Sequence, residues 1–165
     1  MDDGIPQLKP EVNEVLKRTL DKVRDQYHYI IIDTPPNLSR TTVNALAASD
    51  EVVIVFEPAR FCFSAIENFI ETIEHVQEHI NPDLHIAGII PNAIDIRRYD
   101  NKEYLQKAKE IYGDLVFRSM IKRRASIGRI PDTGFISDNK LFEDMGQYAS
   151  FVKELLERVR ILEGA

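Results

Sequence analysis

The chain has 165 residues, 44% apolar and 29% charged, which is enough for one domain with a sizeable core and ordinary for a soluble globular protein. A single cysteine, Cys62, excludes an internal disulfide and a thiolate metal site and reads as a buried structural thiol; no apolar run approaches the ~20 residues that span a bilayer, and no charged-then-apolar leader opens the sequence, so the expected compartment is the cytoplasm. Net charge is −6, but residues 97–129 hold ten Lys or Arg against four Asp or Glu, a surplus of +6 that leaves −12 on the remainder.

Residues 1–10, with Gly4, Pro6 and Pro10, read as a lead-in, and 11–165 as one domain. Val12, Val15, Leu16, Leu20 and Val23 fall at helical spacing and predict an amphipathic helix over 10–26, with proline near its start. The run Tyr29-Ile-Ile-Ile-Asp33 predicts a buried strand. A short helix over 41–48, a strand over 51–56, a long helix over 64–80 and a strand over 84–90 follow. A helix over 101–112 is closed by Gly113, and a fourth strand is predicted over 115–121. Leu141, Met145, Tyr148, Val152, Leu155 and Val159 mark a last long helix. Strands alternating with helices predict an α/β fold: a parallel sheet of about four strands flanked by helices.

Asp33 carries the chemistry. It stands where a strand is predicted to end, the place at which parallel sheets put their ligand sites. A lone carboxylate there, before the stiff Pro35-Pro36 turn, suits a Mg²⁺ held through water beside a nucleotide phosphate. Yet the phosphate loop that accompanies such an aspartate, G-x-x-x-x-G-K-[ST], is missing from these residues: no glycine is followed by lysine. The sequence holds half of a nucleotide site.

The wider string, Tyr27-His-Tyr-Ile-Ile-Ile-Asp-Thr-Pro-Pro-Asn-Leu-Ser and then Asn44-Ala-Leu-Ala-Ala-Ser-Asp-Glu-Val-Val-Ile-Val, resembles the middle of the ParA/MinD partition ATPases, with their Y-D-Y-I-I-I-D-x-P-P-x-L and N-A-L-x-A-A-D. The resemblance continues through Asn81-Pro-Asp-Leu, Gly88-Ile-Ile, the pair Asp95 and Arg97, Val116-Phe117 and Ile121-Lys-Arg, covering about 140 of the 165 residues, from near Leu16 onward. It implies the C-terminal part of a P-loop NTPase-like domain, with ATP and Mg²⁺ as the family's cofactors and DNA segregation as its task. Asp33 would be the catalytic, magnesium-linked carboxylate. Thr34, Pro35 and Pro36 would sense the γ-phosphate, and Asn92 and Arg123 would lie beside the adenine. Lys122 stands where the family has proline. The resemblance also implies self-association, a ParB-like activator, and DNA bound without sequence preference. Without the loop, the chain alone is expected to bind no nucleotide and to be inactive.

Arg97, Arg98, Lys122, Arg123, Arg124 and Arg129 could form a patch for DNA phosphates, weighed against a solvated face of scattered cations. Glu71, His75 and His79 share one helix face at metal-ligand spacing, but Glu67, Glu74 and Glu78 around them favour a solvated charged face. The last helix mixes Lys153, Arg158 and Arg160 with Glu154, Glu157 and Glu163, which favours docking on the core over a membrane. A non-enzymatic module that binds DNA or an intact homologue is the alternative function.

Overall fold

A computed structural model describes residues 14–35, 37–59, 61–135 and 139–163. The elements are α1 (Val15–Leu20), α2 (Arg40–Ala48), β1 (Glu51–Phe56), α3 (Cys62–His79), β2 (His85–Pro91), α4 (Tyr99–Tyr112), α5 (Ala125–Gly128), α6 (Ile130–Thr133) and α7 (Asn139–Glu163), with 3₁₀ turns at Arg24–Gln26 and Gly113–Leu115. The described residues form two compact units: those up to Val52 with Ser64–His85, and Val53–Phe63 with Ile86 onward.

In the first unit α1 packs on α2. The helix predicted over 10–26 is shorter, ending at Leu20 and resuming as the 3₁₀ turn; the lead-in 1–10 lies outside the described residues. Val43, Leu46 and Ala47 of α2 and Ile66, Ile73 and Val76 of α3 are buried at helical spacing. Buried Asn81 ends this core: its amide donates to the carbonyls of Leu46 (3.1 Å) and Ser49 (2.8 Å), satisfying the orphan acceptors at the end of α2.

The strand predicted over 29–33 does not form. The segment joins no sheet, and Tyr29 and Ile31 are 65% and 93% exposed. Isoleucines fit a pleated, half-buried surface, but a neighbour's ladder and side chains stabilise a strand, and none lies alongside among the described residues.

The second unit is built on β1 and β2. The Asn92 N–H donates to the Phe56 carbonyl as that of His85 does to Asp50, so residue numbers rise together and the pair is parallel, joined by α3. Among the described residues the sheet has two strands, not about four. The segment predicted as a strand over 115–121 runs beside β2 without forming a named strand: it makes isolated parallel bridges, Ile89 with Val116 and, just beyond β2, Ile94 with Lys122, and the Ile121 N–H donates to the Pro91 carbonyl (2.8 Å). Five steps on one side match six on the other, so one extra residue bulges between the bridges. Its cause is Glu154 of α7, whose carboxylate takes the N–H groups of Arg118 and Ser119 (2.8 Å each) that a continuous strand would give to a ladder.

Gly88 lies where α7 and the bridged segment close on β2. Its φ is +150°, and a Cβ there would stand 2.6 Å from the Leu115 carbonyl oxygen and 2.7 Å from the Arg158 guanidinium and the Phe117 ring. A methyl group meets both strain and overlap, so Gly88→Ala should cost about 3 kcal/mol or more, read as a fall in the urea midpoint. Ile90, Phe117 and Ile121 form the centre of this core, with Val53, Tyr148, Phe151 and Leu155 packed on it. Thus α7 docks on the core, as its mixed charge predicts. No described helix is long and apolar enough to cross a membrane.

Candidate functional site

Asp33 and Pro35 are exposed and Thr34 is half-buried in the first unit; Pro36 lies outside the described residues. The chain that follows is tied down. Thr42, fully buried in α2, donates its hydroxyl to the Asn37 carbonyl at 2.6 Å, and the Ser39 N–H donates to the same oxygen at 3.0 Å. Thr42 therefore anchors the loop after Asp33 to a helix. Nothing in the sequence spacing marked Thr42 for this role, because its partner is a backbone carbonyl five residues earlier. One exposed carboxylate fits Mg²⁺, which keeps several waters and takes one or two carboxylates plus the phosphates of a nucleotide. It does not make a metal cage by itself.

The second unit gathers the other predicted residues at the carboxyl ends of β1 and β2. Asn92 ends β2, and Ala93 after it holds φ +54°, a left-handed conformation rare outside glycine. The chain then pairs with the segment carrying the cations: Ile94 N–H to the Ile121 carbonyl (3.0 Å) and Arg123 N–H to the Ile94 carbonyl (3.0 Å). Asn101, buried at the start of α4, accepts the Asp95 N–H (2.8 Å) and donates to the Pro58 carbonyl (3.1 Å), linking the two strand-end loops. A cavity of about 320 Å³ opens there, walled by Glu57, Asp95, Arg98, Asp100, Tyr104 and Arg123 among others.

Four arginines of the expected DNA patch, Arg97, Arg98, Arg123 and Arg124, are paired with carboxylates. Arg97 grips Asp95 with Nε and a terminal nitrogen (3.0 and 2.9 Å), Arg98 forks onto Asp100, Arg123 reaches Glu57 (2.8 Å) and Arg124 reaches Asp144 (3.2 Å). The side-chain and backbone hydrogen bonds from Arg97 hold the Asp95 carboxyl down to about 2. Lys122 is half-buried, with its backbone held at both ends by the Gln147 amide. The charge surplus of 97–129 is thus partly answered from Glu57, Asp95 and Asp144, which lie outside that segment. These exposed pairs are weak in water and open to exchange with other anions. The pairing carboxylates were not legible as partners because Glu57 and Asp144 are far from the arginines in sequence.

A family model described as an AAA domain matches residues 3–86. The sporulation initiation inhibitor protein Soj of Bacillus subtilis is 35% identical over 130 residues, 79% of this chain and 51% of that protein. The chromosome-partitioning ATPase Soj of Treponema pallidum is 34% identical over 119 residues, 72% of this chain and 47% of that protein. Among solved structures, cobyrinic acid a,c-diamide synthase from Mycobacterium smegmatis, with ADP and magnesium bound, is 27% identical with a TM-score of 0.62 over 74% of this chain and 55% of that one. A variant of McdA from Cyanothece, in complex with ATP, has a TM-score of 0.75 at 21% identity over 88% and 57% of the two chains. The fold is P-loop NTPase-like. The chain belongs to the ParA/MinD/Soj group of partition ATPases. It spans about half the length of the curated relatives it matches.

Proposed function

We propose that this chain is the nucleotide-switching and DNA-associating part of a ParA-type ATPase that segregates plasmid or chromosomal DNA in the cytoplasm. The observation that carries this reading is the parallel β1–β2 pair, whose two carboxyl ends bring Glu57, Pro58, Ala93 and Asp95 to one charged cavity beside Arg123. Open parallel sheets take their ligands at such ends. Asn92 presents an amide suited to a purine edge, and Arg123 a planar cation suited to stacking on it. Asp33 would orient the waters of a nucleotide-bound Mg²⁺, and Thr34, Pro35 and Pro36 would follow the terminal phosphate, with Thr42 carrying that movement into α2. Nucleotide with magnesium supplies the phosphoryl chemistry when bound. A second copy, an intact homologue or a ParB-like activator would be the protein partner. The second reading is a non-enzymatic module that keeps the same surface. Magnesium-dependent ATP binding after addition of a phosphate-binding loop, lost on Asp33→Ala, separates the two.

DNA enters through the same basic segment. Binding should be weak, indifferent to sequence and steeply salt-dependent, because it would exchange internal carboxylates for phosphates at Arg97, Arg98 and Arg124, with Lys122 adding its charge. Reversing Arg97 and Arg98 to glutamate should weaken binding uniformly across sequences and flatten the salt dependence by about two phosphate contacts. Fluorescence anisotropy at low salt checks this. No binding, or no change on reversal, would leave the patch a solvated surface.

A further inference from the structure

The last turn of α3 carries a group of side chains that nucleotide and DNA do not use. His75 and His79 stack there with ring centroids 4.8 Å apart and planes 26° from parallel. The Nδ1 of His79 lies 2.9 Å from the His75 carbonyl oxygen. In the neutral ring that contact makes Nδ1–H the donor and leaves the Nε2 lone pair to face outward. A ring nitrogen tied to a backbone carbonyl is the usual outer support of a metal-bound histidine. Glu78 completes the group: one nitrogen from each histidine and one Glu78 oxygen lie within 4.8 Å of one another. Glu71, which spacing alone would also put on the histidine face, is not among them. Glu78 Oε2 now lies 3.9 Å from the tied Nδ1 of His79, and rotation of the exposed His75 and Glu78 side chains would bring their donors towards the His79 Nε2, to the roughly 3.3 Å separation that bonds of about 2.0–2.1 Å to a tetrahedral ion require.

Electrostatics favours a cation at this place. α3 runs 18 residues, Cys62–His79, so the negative end of its dipole falls on the turn that holds His79. Glu74 and Glu78 add exposed negative charge beside it. Two imidazoles select a borderline transition ion of the zinc class over Mg²⁺ or Ca²⁺, which take oxygen ligands. We propose that His75, Glu78 and His79 form a surface site for a zinc-class dication, with solvent filling the remaining positions. Bound there, the ion clamps residues four apart and stabilises the end of α3 against fraying, independently of any nucleotide.

The test is isothermal titration of the full chain with zinc chloride, paired with thermal melting and with magnesium chloride as the control. Wild type should take up one zinc and melt at higher temperature, with no response to magnesium. His75→Ala and His79→Ala should each weaken zinc binding by more than about tenfold, since loss of even an outer partner costs 10–100-fold. Glu71→Gln should bind zinc as wild type does. Circular dichroism of each variant confirms that α3 is intact. Absence of zinc binding by wild type, or equal binding by all three variants, would overturn the site.

Discussion

Joined to an N-terminal K-G-G-x-G-K-T segment, the chain should bind Mg-ATP and hydrolyse it, and Asp33→Ala should then lower turnover by on the order of 100-fold or more. The reasoning starts from what phosphoryl transfer requires. Positioning and charge stabilisation supply nearly all of the catalysis, and a loop of backbone N–H groups with a lysine supplies most of both. These residues contain no Gly-Lys pair, while Asp33 is exposed and followed by a loop that Thr42 anchors. Contacts to the base from Asn92 and Arg123 alone should leave affinity at best millimolar, about −4 kcal/mol. The loss on Asp33→Ala should appear in kcat with ATP binding weakened as well, because in the proposed site the carboxylate would act through the waters of a nucleotide-bound Mg²⁺. Steady-state phosphate release by the extended chain and its Asp33→Ala variant checks this. Equal rates in the two would remove Asp33 from the site.

The second large effect concerns stability and comes from α7. Arg158 donates to the carbonyls of Ala87 (3.1 Å), Leu115 (3.2 Å) and Val116 (3.1 Å), and its guanidinium lies 4.0 Å from the centroid of the Phe117 ring. Its partner Glu154, only 6% exposed, accepts from Arg158 and from the N–H groups of Arg118 and Ser119. Glu154→Ala therefore leaves two backbone donors without partners and removes the counter-ion of a mostly buried arginine, and should cost about 3–5 kcal/mol. Burial pushes the Glu154 carboxyl up, but the hydrogen bonds from Arg118, Ser119 and Arg158 outweigh it and bring it down to about 2 from the usual 4.5. The folded value lies below the unfolded one. The contribution is therefore complete above about pH 4.5 and is lost as pH falls towards 2, a change of about 3 kcal/mol in stability. Urea melts between pH 6 and pH 2.5 should show wild type losing stability faster than Glu154→Gln. Parallel pH profiles for the two would contradict this role.

Much of the chain between residues 40 and 112 could be read from the sequence. β1 begins and ends as predicted, and α2, α3, β2 and α4 fall within two residues of prediction, because periodicity and flanking turn residues act locally. The segment 29–33 has strong strand composition and forms none among the described residues, because a ladder needs a neighbour that composition does not supply. Residues 115–121 failed for the opposite reason: a side chain 35 positions away takes their N–H groups. Cys62 is half-buried, not fully enclosed. The basic patch was visible as charge, but its pairing with Glu57 and Asp144 depended on the fold. The histidines stood at ligand spacing, yet Glu78, not Glu71, completes the group.

The most direct measurement is ATP hydrolysis by the 165-residue chain itself, with and without Asp33→Ala. The expected result is no magnesium-dependent turnover above background in either form, since the residues that cradle the phosphates are not among these. Robust hydrolysis that Asp33→Ala abolishes would contradict the claim that the chain holds half a site, and robust hydrolysis that survives Asp33→Ala would contradict the assignment of Asp33 as well.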